Sequence, residues 1–150
     1  MTNNWTSIFG EYTLKKDEIT FKGKVQEYDK GQKGAAIANL ICDQYFGGGK
    51  ITAEVTFKKV NYPTACEIMI YFDPQTKNFV SAGLGGAGSM YSIRSFTGNW
   101  TNQALSGEYK NLKANKPYKL EIEFKGSTVT LKVDGITILV TNLPYKLPIS

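Results

Sequence analysis

The chain contains no histidine. That removes the commonest general base, the usual partner of a nucleophilic serine or cysteine, and the commonest zinc ligand, so triad hydrolases and zinc hydrolases are excluded. Cysteine is almost as scarce. Cys42 and Cys66 cannot complete a structural zinc site by themselves, and a chain of 150 residues buries a core without disulfide staples, so free buried thiols are the expectation. Arginine occurs once, at Arg94, which leaves bidentate reading of phosphate or guanine a single candidate. The net charge of +5 is otherwise carried by lysines scattered among Asp and Glu, a distribution suited to strand-edge protection and solubility. No nucleic-acid partner is expected.

Long apolar runs are missing as well. No stretch approaches bilayer-spanning length, and Met1 to Trp5 lacks the basic and apolar regions of a secretory signal, so no membrane partner and a soluble chain, cytoplasmic unless a leader has been removed, are expected. Helical periodicity is absent: Gly, Pro and β-branched residues interrupt every window of helix length. Period-two alternation takes its place. In Lys50 to Val60, residues Ile51, Ala53, Val55 and Phe57 point one way and Thr52, Glu54, Thr56 and Lys58 the other. From Cys66 to Phe72 the inward set reads Cys66, Ile68, Ile70 and Phe72, with Glu67, Met69 and Tyr71 opposite. Tyr118, Leu120, Ile122 and Phe124 alternate with Lys119, Glu121 and Glu123 before a turn at Lys125-Gly126. Val129, Leu131 and Val133 follow, and Asp134-Gly135 predicts a type I′ hairpin into Ile136, Ile138 and Val140. Further strands are predicted over 12–14, 19–25, 35–42, 79–84 and 91–96. About ten short strands without helices point to an all-β, antiparallel two-sheet sandwich or jelly roll filling one domain, residues 1–150.

The run from Tyr118 through Phe124, Gly126 and Thr128 to Asp134-Gly135 resembles the concanavalin A-like lectin and glucanase superfamily, including its laminin-G-like and pentraxin-like sandwiches. Lys50 to Phe57 and Ile68 to Asp73 look like the consecutive strands that precede it there. The resemblance spans roughly Gly49 to Leu143, in pattern more than in fixed motifs, and implies a concanavalin A-like jelly roll. Family members commonly add a Gly- and aromatic-rich closing strand after the hairpin, whereas this chain reads Leu147-Pro148-Ile149-Ser150. Either the N-terminal strands supply that edge, or the chain is the leading module of a longer protein. Two family signatures are absent: Glu-x-Asp-x-x-Glu of the glucanases, and the Asp/Asn-rich loop with His that holds metals in legume-type lectins. No catalytic residue, metal or cofactor is therefore expected.

Paired carboxylates are the remaining catalytic equipment, because a glycosidase needs two of them about 5–9.5 Å apart. Glu121 and Glu123 share a face at about 7 Å, but beside Lys119 they read as a solvated sheet surface, as do Glu54 and Glu67. Gly83 to Gly88 matches the dinucleotide fingerprint in letters only. That motif requires a following helix, and Ser89 to Phe96 has a strand pattern, which makes the run a loop or bulge.

Aromatic side chains outside the core set are the stronger signal, since sugars present C–H faces to Trp and Tyr while their hydroxyls bond to Asp, Asn, Gln and Arg. Tyr71 is expected on an outer sheet face near Asp73. Trp100 is expected in a polar loop, Thr97 to Gln103, just after the strand bearing Arg94, with Asn102 close by. Asp43, before the Gly47 to Gly49 run, marks another polar-aromatic loop. The candidate ligand-binding residues are thus Tyr71, Trp100, Arg94, Asn102, Asp43 and Asp73. The reading is a non-catalytic, lectin-like carbohydrate-binding module. The alternatives are a protein-interaction or sensor domain of a larger bacterial or viral protein, meeting a protein partner through the same surface, and, less favoured, a glycoside hydrolase.

Overall fold

Alternating side chains give each extended segment two unlike faces. In the computed structural model this pattern yields fourteen strands among the described residues, which are 5–9, 11–15, 18–22, 24–28, 32–37, 39–42, 49–61 and 64–144. The chain divides into two compact units, Met1–Tyr45 and Phe46–Ser150. In the first, β1 (Trp5–Phe9) pairs antiparallel with β6 (Asn39–Cys42), β2 (Glu11–Lys15) with β3 (Glu18–Lys22), and β4 (Lys24–Tyr28) with β5 (Gln32–Ile37). The single strand predicted over 19–25 is two, because its halves pair differently: Lys22 faces Glu11 and Lys24 faces Ile37.

The second unit holds β7 (Gly49–Thr56), β8 (Ala65–Phe72), β9 (Phe79–Gly85), β10 (Ser89–Phe96), β11 (Trp100–Glu108), β12 (Pro117–Lys125), β13 (Thr128–Val133) and β14 (Ile136–Asn142). Sheet I has the order β14-β13-β12-β7 and sheet II the order β11-β10-β9-β8, every pair antiparallel. Their inner faces form one core. Sheet I contributes Tyr118, Leu120, Ile122, Phe124, Val129, Leu131, Val133 and Leu139, and sheet II contributes Val80, Ala82, Leu84 and Ile93. Each fully buried aliphatic side chain is worth roughly 1.5–3 kcal/mol relative to exposure, and these contacts hold the two sheets together as a sandwich.

Local chemistry closes the expected hairpin. Asp134 and Gly135 have φ of 51° and 81°, as a type I′ turn requires. Asp134 Oδ1 accepts from the Lys119 amide at 2.9 Å, which ties the turn back to β12. Tyr118 is buried with its hydroxyl accepting from the Lys113 amide at 2.9 Å, so the one polar atom of that side chain is satisfied. Cys66 carries a free thiol packed against the core. Burial, and then the neighbouring Glu67 charge, push its pKa up to about 11, which keeps it protonated at neutral pH.

Candidate functional site

Sheet II is a meander whose outer face is built from the residues opposite Val80, Ala82, Leu84 and Ile93. Cross-strand register arranges them in three rows running across the strands. The first row is Phe72, Phe79, Phe96 and Trp100; the second is Met69, Ser81, Arg94 and Asn102; the third is Glu67, Gly83, Ser92 and Leu105.

Two bulges create this alignment. Between Met69 and Tyr71 the register on β9 advances by one residue while β8 advances by two, leaving Ile70 without a partner. The alternation therefore inverts. Tyr71 falls opposite the inward Val80 and packs against the core, and Phe72 takes the outer position opposite Phe79. This corrects the expectation that Tyr71 lies on an outer face, since an extra residue in a strand reverses every side chain beyond it. A second bulge on β11 leaves Gln103 unpaired between Ala104, opposite Ile93, and Asn102, opposite Arg94. Trp100 is also relocated: it is the first residue of β11, paired with Phe96, not part of a loop. Its Thr, Asn and Gln neighbours suit an edge strand with solvent on one side, where polar composition does not oppose pairing.

The first row is an aromatic cluster. Phe79 and Phe96 stack with ring centres 5.5 Å apart, and the indole of Trp100 meets both edge-on at 5.2 and 5.6 Å. Trp100 nonetheless remains 50% exposed. The Arg94 guanidinium lies over the indole, 4.0 Å from its centre, a cation–π contact joining the first row to the second. Arg94 is held from its other side by Glu67: Nε donates to Oε1 at 2.8 Å and Nη2 to Oε2. Ser92 Oγ sits between Glu67 Oε1 at 3.0 Å and the Gly85 carbonyl at 2.7 Å. Gly86 leaves room for this group, because a Cβ there would come within 3.0 Å of Arg94 Cζ and Nε and of Ser92 Oγ. Ser81, Gly83 and Ser92 are buried small residues beneath the larger side chains, and the Ser81 hydroxyl has no hydrogen-bond partner among the described residues.

Of the residues singled out from the sequence, Arg94, Trp100 and Asn102 come together on this face. Asp73 stands in the turn that follows Phe72. Its Oδ1 accepts from the amides of Gln75 at 2.9 Å and Thr76 at 3.3 Å, and hydrogen bonds from the Thr76 side chain and the Gln75 backbone hold its carboxyl below the usual range. That carboxylate shapes the turn. Asp43 lies outside the described residues. The residues unforeseen here are Glu67, read as a solvated position, and the aromatic neighbours Phe72, Phe79 and Phe96. Equal parity of Arg94 and Phe96 along β10 was a signal for Phe96; Glu67 left none, because its partner is two strands away.

The paired carboxylates Glu121 and Glu123 of sheet I are otherwise engaged. Glu121 pairs with Lys50 at 2.7 Å and Glu123 with Lys132 at 3.4 Å. The Lys50 hydrogen bond holds the Glu121 carboxyl below its ordinary value, the opposite of what a general acid needs. A recess of about 500 Å³ at this end of sheet I is lined by Gly49, Lys50, Glu123, Phe124, Lys125 and Thr128. The glycine run forms the end of β9 and the turn into β10, closed by the Ser89 amide donating to the Gly86 carbonyl at 2.9 Å, with a strand following as its residue pattern predicts.

Fold and outer face together define a two-sheet antiparallel β-sandwich with a polar-aromatic surface on one sheet. The chain matches no protein-family model and no curated protein. Among solved structures it is similar to the carbohydrate binding module CBM66 from Bacillus subtilis, with a TM-score of 0.73 at 16% sequence identity over 96% of this chain and 83% of that one. At that identity the likeness establishes the shared sandwich fold.

Proposed function

We propose that this chain is a non-catalytic carbohydrate-binding module of the concanavalin A-like kind, and that it contacts sugar on the outer face of sheet II through Trp100, Arg94 and Asn102. The observation that carries the reading is the half-exposed indole of Trp100, set beneath a guanidinium and near an amide on one sheet face. An indole offers a flat apolar surface to the C–H face of a pyranose or furanose, while Arg94 and Asn102 supply directed hydrogen bonds to its hydroxyls. The fold shared with a carbohydrate binding module supports the same reading, and a match running over 96% of the chain supports treating all 150 residues as one module. Paired carboxylates engaged by lysines, in a chain without histidine, favour binding over bond cleavage.

The test is a glycan array probed with the full chain, with and without calcium. The wild type is expected to bind, and Trp100→Ala is expected to reduce affinity at least about tenfold, since loss of a stacked aromatic contact is worth about 1.4 kcal/mol or more, with the circular dichroism unchanged. A blank array, or a Trp100→Ala variant that binds like wild type, overturns the assignment.

A further inference from the structure

The strongest unassigned feature of the molecule is the pairing of its only arginine with a carboxylate two strands away. Glu67 belongs to β8 and Arg94 to β10, and the intervening β9 presents Gly83 in the row of Glu67 and Ser92. Strands two apart in a sheet are separated by about 9.6 Å, and β9 places only the small residues Gly83 and Ser81 in these two rows, over which the two long side chains meet. The result is a two-pronged pair whose side chains are 14% and 13% exposed. A pair so little exposed is weakly screened by salt, and its two charges cancel where a ligand would approach.

We infer that Glu67 determines the ligand class of this face: by occupying the guanidinium fork and cancelling its charge, it makes the surface a receptor for neutral saccharides and closes it to acidic ones. The inference rests on the carbohydrate reading above. A guanidinium has five N–H donors, and Glu67 takes two of them, Nε–H and one on Nη2. Three remain, together with the Asn102 amide and the exposed indole. That is a donor-rich, partly apolar surface with no net charge at the Glu67–Arg94 pair, and it suits hydroxyl oxygens; the Lys77 ammonium lies at the far end of the aromatic row, 5.8 Å from the ring centre of Phe72. The carboxylate of a uronic or sialic acid, or the sulfate of a sulfated sugar, would seek the same fork, find it filled, and meet the negative Glu67 there. The carboxylate thus acts on ligand through Arg94, as a positioning residue.

Two measurements test this in the full chain. The first needs no ligand. With Trp5→Phe as background, Trp100 is the sole indole, and its fluorescence is quenched in parallel by iodide and by caesium. Glu67→Gln leaves Arg94 uncompensated, and the ratio of iodide to caesium quenching is expected to rise about twofold or more, because an unpaired surface cation concentrates anions around it. An unchanged ratio overturns the inference. Should Glu67→Gln fail to fold, Arg94→Gln tests the same pair from the other side, with the ratio expected to fall.

The second measurement titrates cellohexaose, xylohexaose, maltohexaose and hexagalacturonate. The wild type is expected to take a neutral oligomer and not hexagalacturonate, and Glu67→Gln to gain at least about fivefold for hexagalacturonate as the freed fork accepts a carboxylate, a gain suppressed by salt. Hexagalacturonate binding by the wild type, or no gain in the variant, overturns it. If no saccharide binds, the carbohydrate reading fails and takes the ligand class with it, while the quenching ratio still decides whether Glu67 neutralises Arg94.

Discussion

Gly83 shows how much a missing side chain can specify. A Cβ at this position would lie 2.2 Å from the Cys66 carbonyl oxygen and 2.9 Å from Glu67 Cα, both backbone atoms that cannot swing aside. Gly83→Ala is therefore expected to push β8 away from β9 and to cost about 1–3 kcal/mol in urea unfolding, the range of an overpacked core site. The same substitution disturbs the Glu67 backbone, so in the Trp5→Phe background the fluorescence of Trp100, with the guanidinium above its indole, should shift along with stability. An Ala variant as stable as wild type would mean that the two strands are not so closely apposed. Gly83 also explains why Glu67 and Arg94 escaped recognition as a pair: the space that joins them is a property of the strand between, not of either residue.

Along a strand, one inserted residue outweighs the composition of the whole segment. In β8 the alternation Cys66, Ile68, Ile70, Phe72 looks uninterrupted, yet Ile70 is a bulge and Phe72 faces outward. Tyr71 is consequently a packing residue, and Phe72 the outer member of the aromatic row. Tyr71→Ala is expected to lower unfolding free energy by about 2 kcal/mol, as befits a half-buried aromatic, while leaving glycan binding unchanged. Trp100→Ala should lose glycan binding, with a stability loss no larger than that of Tyr71→Ala because the indole is half exposed and packs on the outer face alone. Parallel unfolding curves and array binding of the two variants check this crossing of effects; loss of binding in Tyr71→Ala without loss of stability would return that ring to the outer face. The bulge in β11 works likewise, setting Asn102 beside Arg94 and turning Ala104 inward to Ile93.

Over the Phe46–Ser150 unit, stability is collective because each sheet covers the inner face of the other. Leu131 is fully buried at the centre of sheet I, facing Ile122 on one side and Leu139 on the other. Leu131→Ala is expected to cost about 2–5 kcal/mol, and the loss should not stay local. Pulsed hydrogen exchange of the sheet I amides and, in the Trp5→Phe background, the fluorescence of Trp100 on the outer face of sheet II should report one midpoint in urea. Separate midpoints would show that the sheets unfold independently.

Much of the architecture was legible from residue order. Alternation in β7, β12 and β13 announced one buried face per strand, Asp134-Gly135 announced the hairpin, and the absence of helical spacing excluded an α/β fold; all are local patterns, imposed by backbone geometry within a few residues. In β14 the alternation of Ile136, Ile138 and Val140 misled, because a bulge at Ile138 turns Leu139 inward and leaves Ile136 and Val140 exposed. Trp100, Arg94 and Asn102 could be selected for their chemistry, but not placed. That Trp100 opens a strand, that Tyr71 turns inward, and that Glu67 reaches Arg94 across Gly83 depend on register between strands distant in sequence. Register is settled by which faces pack together and where a bulge relieves the mismatch, and such information exists only once the chain has folded.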